Sequence, residues 1–291
     1  MTNKKDVRGI AVIGAGIMGR GIAYVSALFG FTTVLNDVSD ELLEKARGQI
    51  QRDLKKGVEI GKVTPGDMKA TLSRLRVQVD LSDAVSNADL IIEAAPEDLG
   101  LKLDLFKRLD AMCSAHVIFA SNTSALSITE MAGATNRKSH FIGMHFFNPV
   151  HKMKLVEIIR GRETGDDVAQ AVAAVAGQMG KEVVMVNESP GFVTSRINAL
   201  IGNEAFYMLQ EGVASARDID KALKLGLNHP MGPFEMIDLV GLDTRLNILS
   251  YLHQTLGEKY RPCPLLVEYV KAGRLGKKVG RGVYEYSDSD R

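Results

Sequence analysis

Residues 9–19 read Gly9-Ile10-Ala11-Val12-Ile13-Gly14-Ala15-Gly16-Ile17-Met18-Gly19. A short apolar run ends in glycines that fit G-x-G-x-x-G, and small and apolar residues then recur at helical spacing from Ile17 to Phe29. After Gly30, the apolar and β-branched segment from Phe31 to Leu35 ends at Asn36 and Asp37. The pattern predicts a strand, a tight turn, a helix and a second strand, which together open a Rossmann-type α/β domain.

The three glycines of this turn have separate tasks. Gly14 permits the tight turn, Gly16 removes a side chain that would block a pyrophosphate, and Gly19 lets the helix approach the sheet. Ile17 and Met18 lie at the start of the predicted helix, where free backbone amides bind an anion. A turn whose glycines serve packing alone is the other interpretation of these residues.

The identity of the dinucleotide depends on Asp37, a little over twenty residues after the first glycine. A carboxylate at the end of the second strand accepts hydrogen bonds from the adenosine ribose, and it repels a 2′-phosphate. FAD uses the same turn, but we find none of the further nucleotide-contact segments typical of flavoproteins. The sequence therefore predicts NAD as the cofactor, in preference to NADP.

The rest of the first two thirds of the chain continues the α/β pattern. Two charged, helix-favouring segments, from Asp40 to Lys56 and from Pro65 to Leu75, predict an inserted helical hairpin at about residues 40–75. Further strands, mostly separated by helical stretches, predict a mainly parallel sheet covered by helices. These strands are expected at residues 76–79, 90–94, 117–120, 141–146, 155–159 and 182–186.

The strand signal nearly vanishes after Ser189-Pro190-Gly191. We therefore predict a Rossmann domain over residues 1–188 and an all-α domain over residues 189–291. Helices are expected at residues 193–212, 216–225, 234–256 and 265–272, and the Ser-Asp tail from Ser287 is expected to fray.

Composition excludes several classes of function. The 36 basic residues nearly balance 35 acidic ones, so no positive field draws in nucleic acid. Neither a secretory signal nor a membrane-spanning run is recognisable. Cys113 and Cys263 lie in unrelated contexts, which indicates neither a disulfide framework nor a metal site. We expect a soluble cytoplasmic protein without a metal.

A histidine and a glutamate interrupt two of the predicted strands. His145 lies in Gly143-Met144-His145-Phe146-Phe147-Asn148-Pro149, and Glu157 lies in Leu155-Val156-Glu157-Ile158-Ile159. A carboxylate buried without a partner costs several kcal/mol. If the two strands are neighbours, Glu157 would hold one ring nitrogen of His145 and leave the other for proton transfer. A purely structural pair is the alternative that these residue types leave open.

Several motifs, in order and over almost the whole chain, resemble the L-3-hydroxyacyl-CoA dehydrogenase family, and within it the bacterial 3-hydroxybutyryl-CoA dehydrogenases. Besides the glycine turn they are Ser121-Asn122-Thr123-Ser124, His145-Phe146-Phe147-Asn148-Pro149, Leu155-Val156-Glu157, Pro190-Gly191-Phe192 and His229-Pro230-Met231-Gly232-Pro233-Phe234-Glu235. The resemblance implies reversible, NAD-dependent oxidation of an L-3-hydroxyacyl-CoA, with 3-hydroxybutyryl-CoA as the expected substrate.

The resemblance also assigns roles to individual residues. His145 becomes the general base, Glu157 its orienting partner and Ser124 a donor to the reacting oxygen. Ser195 stands where many members have Asn, and Ser195 or Asn198 is a candidate to replace that contact. Further cofactor contacts implied by the family are Glu97, Lys102, Asn122, Asn148 and Lys278. Without the resemblance, the residue type alone predicts that long charged side chains such as Lys102 and Lys278 are solvated at the surface.

Two further expectations concern the substrate and a partner subunit. Lys55, Lys56 and Lys62 of the hairpin are candidates for the phosphates of coenzyme A, with a solvated helix face as the alternative. Members of the family are homodimers through the second domain, so an apolar cluster there is expected to form a subunit interface or a helix-packing core. Its members are Phe192, Phe206, Tyr207, Met208 and Leu209.

Two other functions fit parts of the sequence. A dehydrogenase of free 3-hydroxy acids or polyols would share the Rossmann turn and the helical domain, but such enzymes generally use a catalytic lysine. A dehydrogenase fold kept for a structural role, as in some lens crystallins, would bind NADH without turnover. The context of His145 and Glu157 favours the thioester dehydrogenase over both.

Overall fold

The chain divides into two compact units, residues 1–188 and residues 189–291. A computed structural model describes residues 7–287. The amino-terminal residues 1–6, and all but the first residue of the Ser-Asp tail, lie outside this described part.

The first unit is built on one eight-stranded sheet in the order β3-β2-β1-β4-β5-β6-β7-β8. All neighbouring pairs are parallel except β6 and β7, which are antiparallel. The strands are β1 (Gly9–Ile13), β2 (Thr32–Asn36), β3 (Leu75–Gln78), β4 (Leu90–Glu93), β5 (Ile118–Ser121), β6 (Phe141–Phe146), β7 (Leu155–Arg160) and β8 (Glu182–Asn187).

Seven α-helices join these strands within the described part of the first unit. They are α1 (Ile17–Leu28), α2 (Asp40–Glu59), α3 (Pro65–Arg74), α4 (Leu81–Val85), α5 (Leu99–Met112), α6 (Ile128–Gly133) and α7 (Asp166–Gln178). Helices α2 and α3 form the inserted hairpin. Its second helix begins with a capping box, in which the Thr64 hydroxyl accepts from the Asp67 amide and Pro65 occupies the first turn.

The order of the strands indicates where a ligand-binding crevice lies in a sheet of this type. The first strand, β1, lies between β2 and β4, so the chain leaves β1 toward one edge of the sheet and returns to its other side at β4. In open α/β sheets, ligands bind outside the carboxyl ends of the strands where the order reverses in this way. All five residues of β1 are buried, as expected for the centre of a sheet covered on both faces.

The second unit is helical, apart from isolated bridges near its end. Its helices are α8 (Thr194–Gln210), α9 (Ala216–Gly226), α10 (Pro233–Val240), α11 (Leu242–Leu256) and α12 (Pro264–Lys271). They enclose a separate apolar core that includes Phe206, Phe234 and Leu249. The predicted fold class, a mainly parallel Rossmann-type sheet with a helical hairpin followed by an all-α domain, is confirmed.

One helix boundary differs from the prediction. We expected a continuous helix from Phe234 to Leu256, but Gly241, with a φ of 107°, separates α10 from α11. A side chain there would be strained and would meet the Asp243 carboxylate at 2.8 Å. The expectation was wrong because an isolated glycine inside an apolar helical pattern does not by itself show whether the helix ends.

Residues 7–287 contain no helix long and apolar enough to cross a membrane. The same residues contain no group of three His, Cys, Asp or Glu side chains placed to hold a metal ion. Cys113 and Cys263 are both free thiols.

Candidate active site

The turn between β1 and α1 needs glycine at three positions for different reasons. Gly14 has a φ of 104°, and a Cβ on it would lie 2.6 Å from the Ala94 carbonyl oxygen. A Cβ on Gly19 would lie 1.8 Å from the Gly14 carbonyl oxygen, because helix and turn are in contact there. A Cβ on Gly16 would meet no atom within 4 Å. Packing therefore explains Gly14 and Gly19, whereas Gly16 faces open space of the kind a phosphate group fills.

The start of α1 fits an anion. Gly16 is its N-cap, which supplies no side-chain cap, and the first turn carries no acidic residue. The first amides of a helix lack partners within the helix, and the helix dipole favours negative charge there. Ile17, which is 61% exposed, and the half-buried Met18 flank this amide cluster.

Asp37 follows β2 and lies beside the same turn. Its Oδ2 accepts a hydrogen bond of 2.7 Å from the Ala15 amide, and its Oδ1 accepts one of 2.8 Å from the Val38 amide. Two carboxylate oxygens provide about four acceptor sites. The half-buried carboxylate is thus oriented by backbone and keeps acceptor capacity for ribose hydroxyls. The glycines, the bare helix start and Asp37 together fit NAD.

His145 and Glu157 lie directly opposite each other on antiparallel strands β6 and β7. Directly opposed residues of an antiparallel pair project to the same face, so their side chains meet. The distance between His145 Nδ1 and Glu157 Oε2 is 2.8 Å, and the residues are 5% and 1% exposed. The His145 ring also packs on Phe147, with ring centroids 4.5 Å apart. Such a pair fixes the tautomer with Nδ1 protonated and Nε2 carrying the lone pair.

Two predicted cofactor contacts and Ser124 are tied to this part of the sheet. The Asn122 Oδ1 accepts a hydrogen bond of 2.9 Å from the Phe146 amide, the residue next to His145. The Glu97 Oε1 accepts from the Ser124 amide at 2.9 Å and from the Thr123 hydroxyl at 2.5 Å. Asn122, Glu97 and Ser124 therefore belong to one hydrogen-bonded region around the ends of β5 and β6.

Lys102 is not the solvated side chain that its residue type predicts, because it is only 1% exposed. Its Nζ donates to the buried Glu93 Oε1 and to the Ala95 carbonyl oxygen at 3.3 Å, and it lies 3.4 Å from Glu97 Oε2. Burial raises the pKa of Glu93, and the Lys102 ammonium opposes that shift.

Asn148, another predicted cofactor contact, is exposed on the loop after β6, and its peptide bond to Pro149 is cis.

A basic cleft of about 760 Å³ lies elsewhere on the first unit, between α1, the hairpin and two loops that flank β7 and β8. Its cationic lining consists of Lys56, Lys62, Lys152, Lys154 and Lys181, with His151 beside them and Asp53 as the one carboxylate. Lys55 is exposed but does not line the cleft. Burial lowers the pKa of His151 and of Lys181.

Lys181 holds one wall of this cleft in place. Its Nζ donates to the Val150 carbonyl oxygen and, at 2.8 Å, to the Met153 carbonyl oxygen. The loop that includes His151 and Lys152 is thereby fixed beside α1, where the His151 ring makes an edge contact with Tyr24. The basic character of the cleft is thus built from three separate parts of the chain.

The remaining predicted site residues belong to the second unit. Ser195 is half-buried in the first turn of α8, and Asn198 follows one turn later on the same helix. Lys278 is exposed, and its Nζ lies 2.6 Å from both carboxylate oxygens of Asp243. Of the apolar cluster, Phe192 and Phe206 are buried, and Tyr207, Met208 and Leu209 pack against the core of this unit.

Sequence reasoning missed several residues around the site. Glu93 carried a usable signal, since it ends the apolar run Leu90-Ile91-Ile92-Glu93 as a single charge, much as Glu157 interrupts its strand. Lys152, Lys154 and Lys181 gave no such signal, because lysines near loops are common and only the fold brings them to the hairpin.

The fold and the nucleotide turn define an NAD-dependent oxidoreductase of the Rossmann class. The model of the 3-hydroxyacyl-CoA dehydrogenase NAD binding domain matches residues 9–189, and that of the 3-hydroxyacyl-CoA dehydrogenase C-terminal domain matches residues 191–286. The chain therefore belongs to the 3-hydroxyacyl-CoA dehydrogenase family.

Similar proteins cover almost the full chain. A probable 3-hydroxybutyryl-CoA dehydrogenase of Bacillus subtilis is 48% identical over 284 residues, which cover 97% of this chain and 99% of the relative. The mitochondrial hydroxyacyl-coenzyme A dehydrogenase of Rattus norvegicus is 42% identical, covering 96% and 91%. The crystal structure of (S)-3-hydroxybutyryl-CoA dehydrogenase from Ralstonia eutropha superimposes with a TM-score of 0.93 at 44% identity, covering 97% of this chain and 100% of that one.

Proposed function

We propose that the protein catalyses the reversible oxidation of L-3-hydroxyacyl-CoA to 3-ketoacyl-CoA, with 3-hydroxybutyryl-CoA as substrate. The observation that carries the proposal is the buried hydrogen bond of 2.8 Å between His145 Nδ1 and Glu157 Oε2, in the same unit as the nucleotide turn. The names of the bacterial relatives support the chain length of the substrate.

His145 is the general base of this proposal. Its Nε2 takes the proton of the substrate's 3-hydroxyl group, and the Glu157 carboxylate stabilises the imidazolium that results. NAD, when bound, supplies the acceptor for the hydride that leaves C3. In the reverse direction the His145 imidazolium returns its proton to the oxygen of the ketone. The buried position of the pair strengthens their interaction, because water screens it little.

Ser124 and Ser195 are the proposed donors to the substrate oxygen. The Ser124 hydroxyl belongs to the loop after β5 that Glu97 holds by the Ser124 amide. A donor aimed at the oxygen on which charge develops stabilises the transition state more than the ground state. In the second unit, Ser195 offers a shorter donor than the Asn of many family members.

The proposed cofactor contacts divide into three sets. The amides and open space of the glycine turn take the pyrophosphate, and Asp37 takes the adenosine ribose. The glycine-turn set comprises Gly14, Gly16, Ile17, Met18 and Gly19. The remaining set, which the resemblance assigns to the rest of the dinucleotide, comprises Glu97, Lys102, Asn122, Asn148 and Lys278.

The basic cleft is the proposed site for the phosphates of coenzyme A. Five lysines against one carboxylate give it a net positive charge, which suits the diphosphate and the 3′-phosphate of the thioester. Of the three hairpin lysines considered for this role from the sequence, Lys56 lines the cleft, and the exposed Lys55 contributes to the surrounding potential. Lys62 lines the cleft as well.

We also propose a cytoplasmic homodimer that associates through the second unit. Phe206 is buried within this unit, so the interface needs other apolar side chains. Leu225, Leu227 and Leu239 are 77%, 65% and 51% exposed, and exposed apolar groups of this size mark association surfaces when they cluster. A monomeric mass in sedimentation equilibrium at micromolar concentration would contradict this part of the proposal.

The oxidation of NADH by a chain-length series of 3-ketoacyl-CoA thioesters tests the proposed activity. We expect turnover of acetoacetyl-CoA and none of free acetoacetate, and a drop in kcat of roughly 10²–10⁴-fold for His145→Gln with nearly unchanged NADH affinity. Full activity of His145→Gln would end the assignment of the base. Turnover of acetoacetate alone would favour a free hydroxy acid dehydrogenase, and NADH binding without any turnover would favour a structural role.

A further inference from the structure

Glu93 is a buried carboxylate to which the proposed mechanism gives no task. It is the last residue of β4, and its backbone pairs with Ile13 of β1 on one side and Ser121 of β5 on the other. The residue is 0% exposed. Moving a carboxylate from water into the protein interior costs free energy, which hydrogen bonds and ion pairs must offset. The partners of Glu93 therefore indicate what the residue does.

Each oxygen of Glu93 has a defined donor. Oε1 accepts from Lys102 Nζ and, at 2.7 Å, from the Ala95 amide, and Oε2 accepts from the Ser121 hydroxyl at 2.5 Å. A neutral amide could keep contacts with both uncharged groups, because its oxygen accepts from the Ala95 amide and its NH2 group can donate to the Ser121 hydroxyl. Only Lys102 makes the negative charge of Glu93 necessary.

The Lys102 ammonium links two carboxylates. It donates to Glu93 Oε1 and to the Ala95 carbonyl oxygen, and it forms an ion pair with Glu97 Oε2 at 3.4 Å. With the residue only 1% exposed, these protein groups rather than water surround its charge. Lys102 therefore connects the buried Glu93 to Glu97, whose side chain is 43% exposed.

Glu97 in turn holds the Ser124 loop. Its Oε1 accepts from the Ser124 amide and the Thr123 hydroxyl, while its Oε2 lies 3.4 Å from Lys102 Nζ. The one carboxylate is thus shared between the loop and the lysine. How strongly Lys102 attracts Glu97 depends on how far Glu93 has already neutralised Lys102.

We propose that Glu93 is a positioning residue for Ser124, acting through Lys102 and Glu97. By neutralising Lys102, Glu93 leaves Glu97 in its bonds to Ser124 and Thr123, and so keeps the Ser124 hydroxyl in place for the reacting oxygen. This inference rests on the proposed function, because it takes Ser124 to be a donor to the substrate. Without the charge of Glu93, Lys102 draws Glu97 toward itself and the Ser124 amide loses its acceptor.

The first test compares Glu93→Gln, Lys102→Met and the double variant in steady-state NADH oxidation with acetoacetyl-CoA. Glu93→Gln keeps an oxygen for the Ala95 amide and turns its NH2 group toward the Ser121 hydroxyl, which can accept, but leaves the Lys102 charge without an anionic partner. We expect kcat to fall about 10-fold with KM values within about twofold, as for a group misplaced at the transition state. Because Lys102 is itself a proposed cofactor contact, Lys102→Met is the reference for the double variant. With the Lys102 charge absent, nothing draws Glu97 away, so adding Glu93→Gln to Lys102→Met should change kcat by less than about threefold.

A matched control separates this effect from a general effect on the helix. Lys107 lies on α5 with Lys102, but its side chain is 60% exposed and it pairs only with the exposed Asp104 in the described chain. Lys107→Met should leave kcat unchanged. Wild-type kcat in Glu93→Gln, or a loss of kcat from Glu93→Gln that is equally large in the Lys102→Met background, would overturn the proposal, because each would show that Glu93 does not act through the charge of Lys102.

The second test needs no turnover. Hydrogen exchange measured by mass spectrometry on the peptide that contains Ser124 should be faster in Glu93→Gln by about 10-fold, and should return to the wild-type rate in the double variant. If Glu93→Gln does not fold, the double variant decides: wild-type protection at Ser124 supports the proposal, and lost protection overturns it. A wild-type enzyme inactive on all thioesters would contradict the proposed function. The exchange rates would still show whether Glu93 holds the Ser124 loop through Lys102 and Glu97.

Discussion

Replacing Glu157 by glutamine isolates the charge in the proposed dyad. The side-chain amide of the Glu157→Gln variant keeps an oxygen that can accept from His145 Nδ1, so the orientation of the ring survives while the negative charge is lost. A hydrogen bond to a charged group contributes roughly 1.5–3 kcal/mol, and the bond of 2.8 Å between two residues at most 5% exposed belongs to this class. Since about 1.4 kcal/mol corresponds to tenfold in rate, kcat should fall by roughly 10- to 150-fold.

The assay is NADH oxidation at saturating acetoacetyl-CoA, accompanied by fluorescence titration of NADH and by thermal unfolding. NADH affinity should be unchanged, because Asp37 and the glycine turn are not altered. Glu182→Gln is the matched control, since Glu182 is exposed on β8, the strand that pairs with β7. A kcat of Glu157→Gln within threefold of wild type, in a folded protein, would refute the reasoning that the imidazolium depends on this carboxylate.

Two further predictions concern binding. Asp37→Ala should weaken NADH binding by about 10-fold and reduce the discrimination against NADPH, because a ribose acceptor and the repulsion of the 2′-phosphate are both lost; unchanged cofactor selectivity in fluorescence titrations would show that Asp37 has another role. Lys56→Gln should raise the KM for acetoacetyl-CoA by about 5- to 10-fold at unchanged kcat, because Lys56 lines the cleft. Lys55→Gln should raise this KM less than twofold, because Lys55 does not line it. Equal effects of the two lysine variants would mean that the cleft does not hold the phosphates.

The glycine turn shows how local geometry makes a site predictable. Gly14, Gly16 and Gly19 lie within six consecutive residues, so local backbone geometry alone sets the distances between them. The strand before them and the helix after them follow from apolar periodicity. The structure adds only the reason for each residue: backbone contacts for Gly14 and Gly19, and open space for Gly16.

Lys102 shows where residue type misleads. An isolated lysine on a helix is usually solvated, and nothing next to it in the sequence contradicts that expectation. Its burial depends on Glu93, at the end of a strand that only the sheet order places in the interior. A partner nine positions away and in a different element is invisible to helical spacing, which relates residues three and four apart.

The amino-acid sequence by itself determined the class of fold, the nucleotide turn, the preference for NAD and the family, because each depends on short segments or on the order of motifs. Only the tertiary structure decided that His145 and Glu157 share a register position, that Lys102 is enclosed by carboxylates, and that lysines from separate segments line one cleft. The physical reason is that these contacts join residues far apart in the chain, and their distances are set by strand pairing and core packing.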